Sequence, residues 1–340
     1  MRPLKLKLIA IGVFLVFIVY FRIPYWGEVN QLPNSRDILI TVKYVFGPKH
    51  EEKHDQKSYL ESLELRASGY DYQFIEKNCH YNLPNTASVM AKICLYPDEM
   101  DQHVSKIIKS GAIWEEPVQQ VIFNQVITKH TDAAIVDIGA NLGSFSIVAA
   151  KLGRQTFAFD LTMDTLRYLS QSVHVNNLEG LLHVYPTAVM EKRFQCIGRQ
   201  SNPNSTLNPG GNSVKFIENC DEEASPVATL DDLLPIFHKM GIEKAIIKAD
   251  CEGSEPGVVL GGQNFLREIS VPFIQMEWNI VKQDLKKKDA NYKHMVNLAL
   301  QVMSDLKFVP VTLGGTLENS LESKHYSEWP YEINWIKRDS

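Results

Sequence analysis

Residues 133–146, A-A-I-V-D-I-G-A-N-L-G-S-F-S, restrict the possible folds of this chain more than any other stretch. Ala134 to Ile138 is a short apolar run with β-branched residues, the pattern of a strand buried on both faces of a parallel sheet. Gly139 and Gly143 then flank Asn141. From Leu142 the apolar residues Phe145, Ile147, Val148 and Ala149 recur at helical spacing, up to Gly153, which is placed to stop a helix. Strand, glycine turn and helix in this order form the opening unit of a nucleotide-binding α/β sheet, whose ligand lies at the carboxyl ends of the strands.

The turn narrows the ligand. Glycines let backbone come close to a bound molecule, and the following helix offers its free amides. A dinucleotide-binding turn reads G-x-G-x-x-G, with a pyrophosphate at the helix N-terminus. Here Asn141 replaces the second glycine and the third is absent. Asp137, ahead of the first glycine, sits badly beside a pyrophosphate and suits an ammonium group such as that of S-adenosylmethionine. Asp160 closes the next apolar run, Thr156 to Phe159, about 20 residues on, where an acid takes a ribose hydroxyl pair. The expected donor cradle is therefore Asp137, Gly139, Asn141, Gly143 and Asp160.

At this point the chain resembles a family. V-D-I-G-A-N-L-G-S-F-S resembles the first motif of the FkbM-type methyltransferases, and I-I-K-A-D-C-E-G-S-E, Ile246 to Glu255, resembles their second, K-x-D-x-E-G-x-E. With T-L-D-D-L-L at Thr229 to Leu234, the resemblance runs from about Ser105 to Glu277. It implies a class I, Rossmann-like α/β fold: a mostly parallel, doubly wound sheet with a closing antiparallel hairpin. It also implies an S-adenosylmethionine-dependent methyltransferase, usually acting on oxygen, with a small molecule, glycan or lipid headgroup as acceptor. Asp101, Ser105, Gly111, Trp114 and Glu115 resemble the segment that runs over the donor pocket in that family. Leu161, where proline is usual, and Cys251, where an aliphatic residue is usual, depart from it.

The rest of the chain fits such a sheet. An amphipathic helix is expected from Pro117 to about Lys129, a helix from Met163 to about Asn177, a strand near His183 to Tyr185, and a strand from Lys244 to Ala249. Thr229 is a cap candidate with two acids in the next turn. Pro256 opens a short helix, Glu255 to Leu260, that Gly261 and Gly262 end. Val271 to Glu277 reads as the fifth strand, followed by a helix from about Ala290 to Ser304. Phe308 to Thr312 and Glu332 to Ile336 then pair as the closing hairpin. The Asn-, Pro-, Gly- and Ser-rich stretch Ser201 to Asn219 is a long loop or hairpin insertion.

Methyl transfer to oxygen is an in-line displacement that needs donor and acceptor aligned, water excluded and sometimes a base. Asp250 and Glu252, at the end of the fourth strand, are the expected catalytic acids. Trp114, Glu115, Glu255 and Glu277 are expected in the substrate pocket. Three acids between Asp250 and Glu255 repel one another unless a positive group or a proton is shared among them. Lys248 either neutralises them or points away. No metal site is expected, because no histidine or third partner accompanies these carboxylates.

Net charge is −5 over 340 residues, and the basic residues form no long run, so nucleic acid is not the expected partner. Leu8 to Phe21 is unbroken apolar sequence between Arg2, Lys5, Lys7 and Arg22, with no small-residue cleavage site after it. It is shorter than the roughly 20 residues of an average span, a mismatch that thin early-secretory membranes and snorkelling ease. We expect a cytosolic tail and signal-anchor over 1–26, a stem and extension over 27–99, and a methyltransferase domain over 100–340. The protein would be single-pass type II in the endoplasmic reticulum or Golgi with a lumenal domain, or alternatively secreted. Cys79 with Cys94, and Cys196 with Cys220, are possible disulfides that leave Cys251 single, and Asn204 heads a glycosylation sequon. A non-catalytic binding or scaffold protein of the same fold is the rival reading, distinguished by donor binding. A nicotinamide oxidoreductase is disfavoured by the missing glycines.

Overall fold

The computed structural model describes residues 59–65, 71–193, 196–200, 213–217, 226–286 and 289–338. The expected signal-anchor Leu8 to Phe21, the Asn204 sequon and Cys220 lie outside the described residues. Among the described residues, no helix is long and apolar enough to cross a membrane.

Seven strands form the central sheet: β1 (Ala134–Ile138), β2 (Thr156–Asp160), β3 (Leu182–Pro186), β4 (Lys244–Ala249), β5 (Ser270–Glu277), β6 (Phe308–Thr312) and β7 (Glu332–Lys337). Their spatial order is β6-β7-β5-β4-β1-β2-β3. All pairs from β5 to β3 are parallel, and β7 runs antiparallel to both β5 and β6. This is the mostly parallel sheet with a closing antiparallel hairpin expected of the class I methyltransferase fold. Every residue of β1 is buried, as are Ala245 to Ala249 in β4. A strand covered on both faces is mostly apolar, here interrupted by Asp137 in β1 and Lys248 in β4, and each large apolar side chain so buried contributes roughly 1.5–3 kcal/mol.

Helix α1 (Ser146–Lys151) follows β1, and α2 (Met163–Val175) follows β2. The expected start of α1 at Leu142 is corrected to Ser146, because the residues after Gly139 are taken up by the turn: Asn141 and Gly143 both have positive φ, 51° and 81°. The expected helix from Pro117 to Lys129 is also corrected. Glu116–Val121 is α-helical, and Ile122–Val126 continues as a wider π-helical turn. Periodicity sees the apolar face of such a segment, not the widening of its turns. Helices at Val104–Lys109, Gln263–Glu268 and Asn279–Lys286 add to those expected, while Ala290–Asp305 matches its sequence pattern. Thr229 caps its turn with Asp232 in a reciprocal capping box.

The segment ahead of residue 100 packs into the same core. Leu60 is buried with the strand residues of β1 and β4, and Ile93, Cys94, Leu95 and Tyr96 lie against the other face of the sheet. Helices Tyr59–Leu63 and Tyr72–Asn78 form where no sustained periodicity is visible in the sequence. Cys79 and Cys94 form a disulfide, and Cys251 is free. Cys196–Gln200 pairs antiparallel with Ser213–Ile217, so a strand ahead of the expected insertion Ser201 to Asn219 pairs with one inside it.

Candidate functional site

One cavity of about 220 Å³ opens at the carboxyl ends of the parallel strands. Its lining includes Asp137, Gly139, Asn141 and Asp160 from the end of β1 and of β2, Asp250, Glu252 and Glu277 from the ends of β4 and β5, and Trp114 and Glu115 from the segment before β1. The first half of the site is a strand-to-turn construction. Asp137 is fully buried in β1, and its Oδ2 accepts from the Ser146 hydroxyl at 2.5 Å. Its Oδ1 has no hydrogen-bond partner. Burial pushes the Asp137 carboxyl up from its ordinary value, with Lys248 opposing.

The turn after Asp137 is pinned from both sides. The amides of Gly139 and Ala140 both donate to the Phe159 carbonyl at 2.9 Å, and the Asp250 amide donates to the Ile138 carbonyl at 2.9 Å. Gly139 has φ of +85°, and a β-carbon there would meet the Asp250 carbonyl oxygen. Only glycine satisfies both constraints. The Asp160 carboxylate holds the far end of the turn: Oδ2 accepts from the Asn141 amide at 3.0 Å and Oδ1 from the Thr162 amide at 2.8 Å.

The second half grows from β4. Parallel register places Lys248 beside Asp137 on β1 and Gln275 on β5. Residues two apart along a strand share a face, so Lys248 and Asp250 meet. The Lys248 ammonium lies 3.2 Å from Asp250 Oδ2 and 3.3 Å from Glu115 Oε2, with only 5% of its side chain exposed. Of the two alternatives read from the sequence, neutralisation is the one observed. Burial works against the Asp250 carboxylate, but Lys248 and hydrogen bonds within the cluster outweigh it and hold Asp250 below the usual range. Lys248 itself is pushed well above its ordinary value, the surrounding carboxylates outweighing its burial.

The neighbouring acids move the other way. Burial first, then the Asp250 charge, raises Glu252 to about 7 and Glu277 to about 9. Glu115 is raised to about 7 by burial despite Lys248. Glu332, which accepts a hydrogen bond from Gln275, is raised to about 8 by burial. Glu277 is 4% exposed, and its Oε2 has no partner. Asp250 is thus held ionised beside Lys248, with Glu115, Glu252 and Glu277 around it raised towards neutrality or above. A group poised near neutrality is suited to take a proton from an acceptor. Glu252 has φ of +55°, a conformation that non-glycine residues adopt at a cost of about 1 kcal/mol.

Two sequence-expected residues stand apart from the lining. A β-carbon on Gly143 would come within 2.2 Å of Leu169 Cδ1, so that glycine admits α2 against the turn. Glu255 is fully buried and accepts from the Cys251 amide at 2.9 Å, holding the loop after β4. Tyr331, just before β7, also lines the cavity and was not singled out from the sequence. Nothing local marks it, because its place is set by a strand pairing that runs back from the far end of the chain. Among the described residues, no group of His, Cys, Asp and Glu is arranged to hold a metal ion.

No protein-family model matches the chain. No curated protein matches it either. Solved structures do. The methyltransferase FkbM of Methylobacillus flagellatus KT is 12% identical with a TM-score of 0.36, over 71% of this chain and 56% of that one. The chain thus spans little more than half the length of that protein. Geranyl diphosphate C-methyltransferase of Streptomyces coelicolor A3(2), solved with Mg2+, geranyl diphosphate and S-adenosyl-L-homocysteine, is 9% identical with a TM-score of 0.34, over 76% of this chain and 89% of that one. The N-terminal domain of human METTL16 with SAH is 11% identical with a TM-score of 0.30, over 86% and 97%.

Proposed function

We propose that this protein is an S-adenosylmethionine-dependent methyltransferase that methylates a hydroxyl oxygen of a small molecule, glycan or lipid headgroup. One observation carries the reading: two carboxylates, Asp137 and Asp160, flank a single glycine turn and line one cavity. The fit is physical as well as positional. The buried Asp137 Oδ1 lacks a donor, which the ammonium of the methionine end would supply. The Asp160 carboxylate, steadied by two backbone amides, stands on the cavity wall, and a carboxylate oxygen accepts more than one hydrogen bond, so ribose hydroxyls can join those amides. When bound, the donor supplies an electrophilic methyl group.

The remaining chemistry belongs to the chain. Trp114 and Glu115 line the cavity, where the indole displaces water from the reacting groups. Lys248 keeps Asp250 ionised, and burial, with the Asp250 charge adding to it, raises Glu252 into the range where a carboxylate accepts a proton at neutral pH. Glu252 then takes the hydroxyl proton as the methyl group transfers, and Glu277 positions the acceptor. Leu8 to Phe21 tethers this unit to a membrane of the secretory pathway, with the domain in the lumen. The Cys79–Cys94 disulfide supports that compartment, because such bonds persist where the surroundings are oxidising.

The test is calorimetric titration of the protein with S-adenosylmethionine, alongside Asp137→Asn and Asp160→Asn. Micromolar-range binding, weakened at least about tenfold in both variants, supports the reading. Absence of binding by protein whose thermal unfolding remains cooperative would sink it and favour a scaffold of the same fold.

A further inference from the structure

A second concavity, of about 640 Å³, lies at the opposite end of the sheet, where β5 begins and β7 ends. Arg267, Lys307, Lys337 and Arg338 line it, against one carboxylate, Asp305. These cations come from three segments far apart in sequence, so no basic run announces them. The fold collects them: Lys307 precedes β6, whose first residue Phe308 pairs with Lys337 at the end of β7.

Several lysines and arginines elsewhere stand against acids: Lys109 on Asp98 at 2.6 Å, Lys239 on Glu61 at 2.6 Å, Lys244 on Asp132 at 2.7 Å and Arg167 on Asp71 at 2.8 Å. In the groove, Arg338 reaches Glu322 at 2.9 Å, but Arg267, Lys307 and Lys337 have no carboxylate partner among the described residues. Arg267 donates only to Gln263, and the Lys337 ammonium stands 5.4 Å from the centre of the Phe308 ring. Asp305 is engaged by the Gln301 amide at 2.8 Å. In a chain of net charge −5, this concentration of unneutralised positive charge repels itself until an anion joins it.

Among the cations the lining includes the apolar residues Pro272, Leu306 and Ile336, together with Ser270 and His130. Cations beside apolar residues match an anion attached to an apolar body. Guanidinium groups match the oxygens of a phosphate in a fork-like geometry, and ammonium groups add point charge. A nucleic-acid backbone asks instead for an extended basic stripe, whereas these cations ring one concavity.

We propose that this groove binds the phosphate headgroup of an anionic phospholipid, with Arg267, Lys307, Lys337 and Arg338 around the phosphate and the start of the acyl chains against Pro272, Leu306 and Ile336. The site is separate from the acid-lined cavity and does not depend on what that cavity binds. It also turns that cavity away from the lipid surface, because the two lie at opposite ends of the sheet.

The test is titration of the full chain, at fixed ionic strength, with dihexanoyl phosphatidic acid below its aggregation concentration. Dihexanoyl phosphatidylcholine and inorganic phosphate serve as comparison ligands. The short-chain lipid keeps the N-terminal apolar run from dominating the result. Saturable binding of the phosphatidic acid is expected, with little from phosphatidylcholine. Arg267→Glu combined with Lys337→Glu should weaken it at least about tenfold while leaving thermal unfolding unchanged. Equal binding of the two lipids would overturn the proposal, since acyl chains alone would explain it. Equal binding of inorganic phosphate would overturn it in favour of a soluble-anion site. Undiminished binding by the folded double variant, or no binding by the wild type, would also overturn it.

Discussion

The carbonyl oxygen of Asp250 occupies the space that a β-carbon on Gly139 would need, 1.7 Å from that position. The donor turn after β1 and the acid loop after β4 are therefore one interlocked object. Gly139→Ala would have to separate them and adopt φ of +85°. Gly153, with φ of +79° and nothing within 4 Å of the place its β-carbon would take, faces only the second demand. Gly153→Ala should cost about 1 kcal/mol of unfolding free energy, and Gly139→Ala at least about 3 kcal/mol. Urea unfolding of the two variants checks the difference, and equal costs would show that the interlock carries no energy.

Lys248 is the one cation among the described residues lining the acid-rich cavity. Lys248→Met would leave the Asp250 and Glu115 carboxylates without their ion-pair partner. Removing one member of a buried pair costs about 3 kcal/mol. The loss should be largest at alkaline pH and shrink in acid, where the stranded carboxyls neutralise by taking up protons. Denaturant midpoints of wild type and variant between pH 5 and pH 8 test this, and a pH-independent difference would contradict it.

Glu277, raised to about 9 from the 4.5 of a free glutamate, gives the protein an unusual pH response. Between those values the folded chain retains a proton that the unfolded chain has released. Stability from this group is therefore full in acid and declines as pH rises through the window, by at most about 1.4 kcal/mol per pH unit. Glu252, raised to about 7, adds to the early part of the decline. Glu277→Gln should flatten the fall in urea midpoint between pH 5 and pH 9. An unchanged slope would show that Glu277 is not the source.

Asp160 does two things, and separate variants divide them. Its carboxylate holds the Asn141 and Thr162 amides. Asp160→Ala should lose those bonds, about 1 kcal/mol each, along with donor binding. Asp160→Asn keeps one acceptor oxygen, and so one of the two bonds, while losing the charge and the other bond. Asn should therefore unfold closer to wild type than Ala, while both weaken binding of S-adenosylmethionine. Equal thermal shifts in the two variants would remove the structural role.

The sheet was the legible part of the sequence. A strand covered on both faces is mostly apolar, so β1, β2 and β4 stand out as apolar runs even with Asp137 and Lys248 inside them, and Asp160 and Asp250 lie at or just past strand ends. What escaped was set by partners distant in sequence. Gly143 reads as a ligand-side glycine because its spacing is right, but Leu169 on α2 decides its role. Tyr331 reaches the cavity through the pairing of β7 with β5. The choice for Lys248 turned on strand alternation carried one residue past the end of β4 at Ala249. The π-helical turn at Ile122–Val126 has an apolar face like that of an ordinary helix, so periodicity could not reveal it.

The interlock of Gly139 with Asp250 also has a consequence for synthesis. The turn emerges from the ribosome early, while the loop it leans on follows more than a hundred residues later. Until that loop arrives, β1 lacks its central neighbour β4 and exposes an apolar edge. A chain arrested between the two would carry the complete first motif with no rigid wall behind it. The cavity is thus assembled only after most of the protein has been made, and that interval is when the nascent chain most needs protection from aggregation.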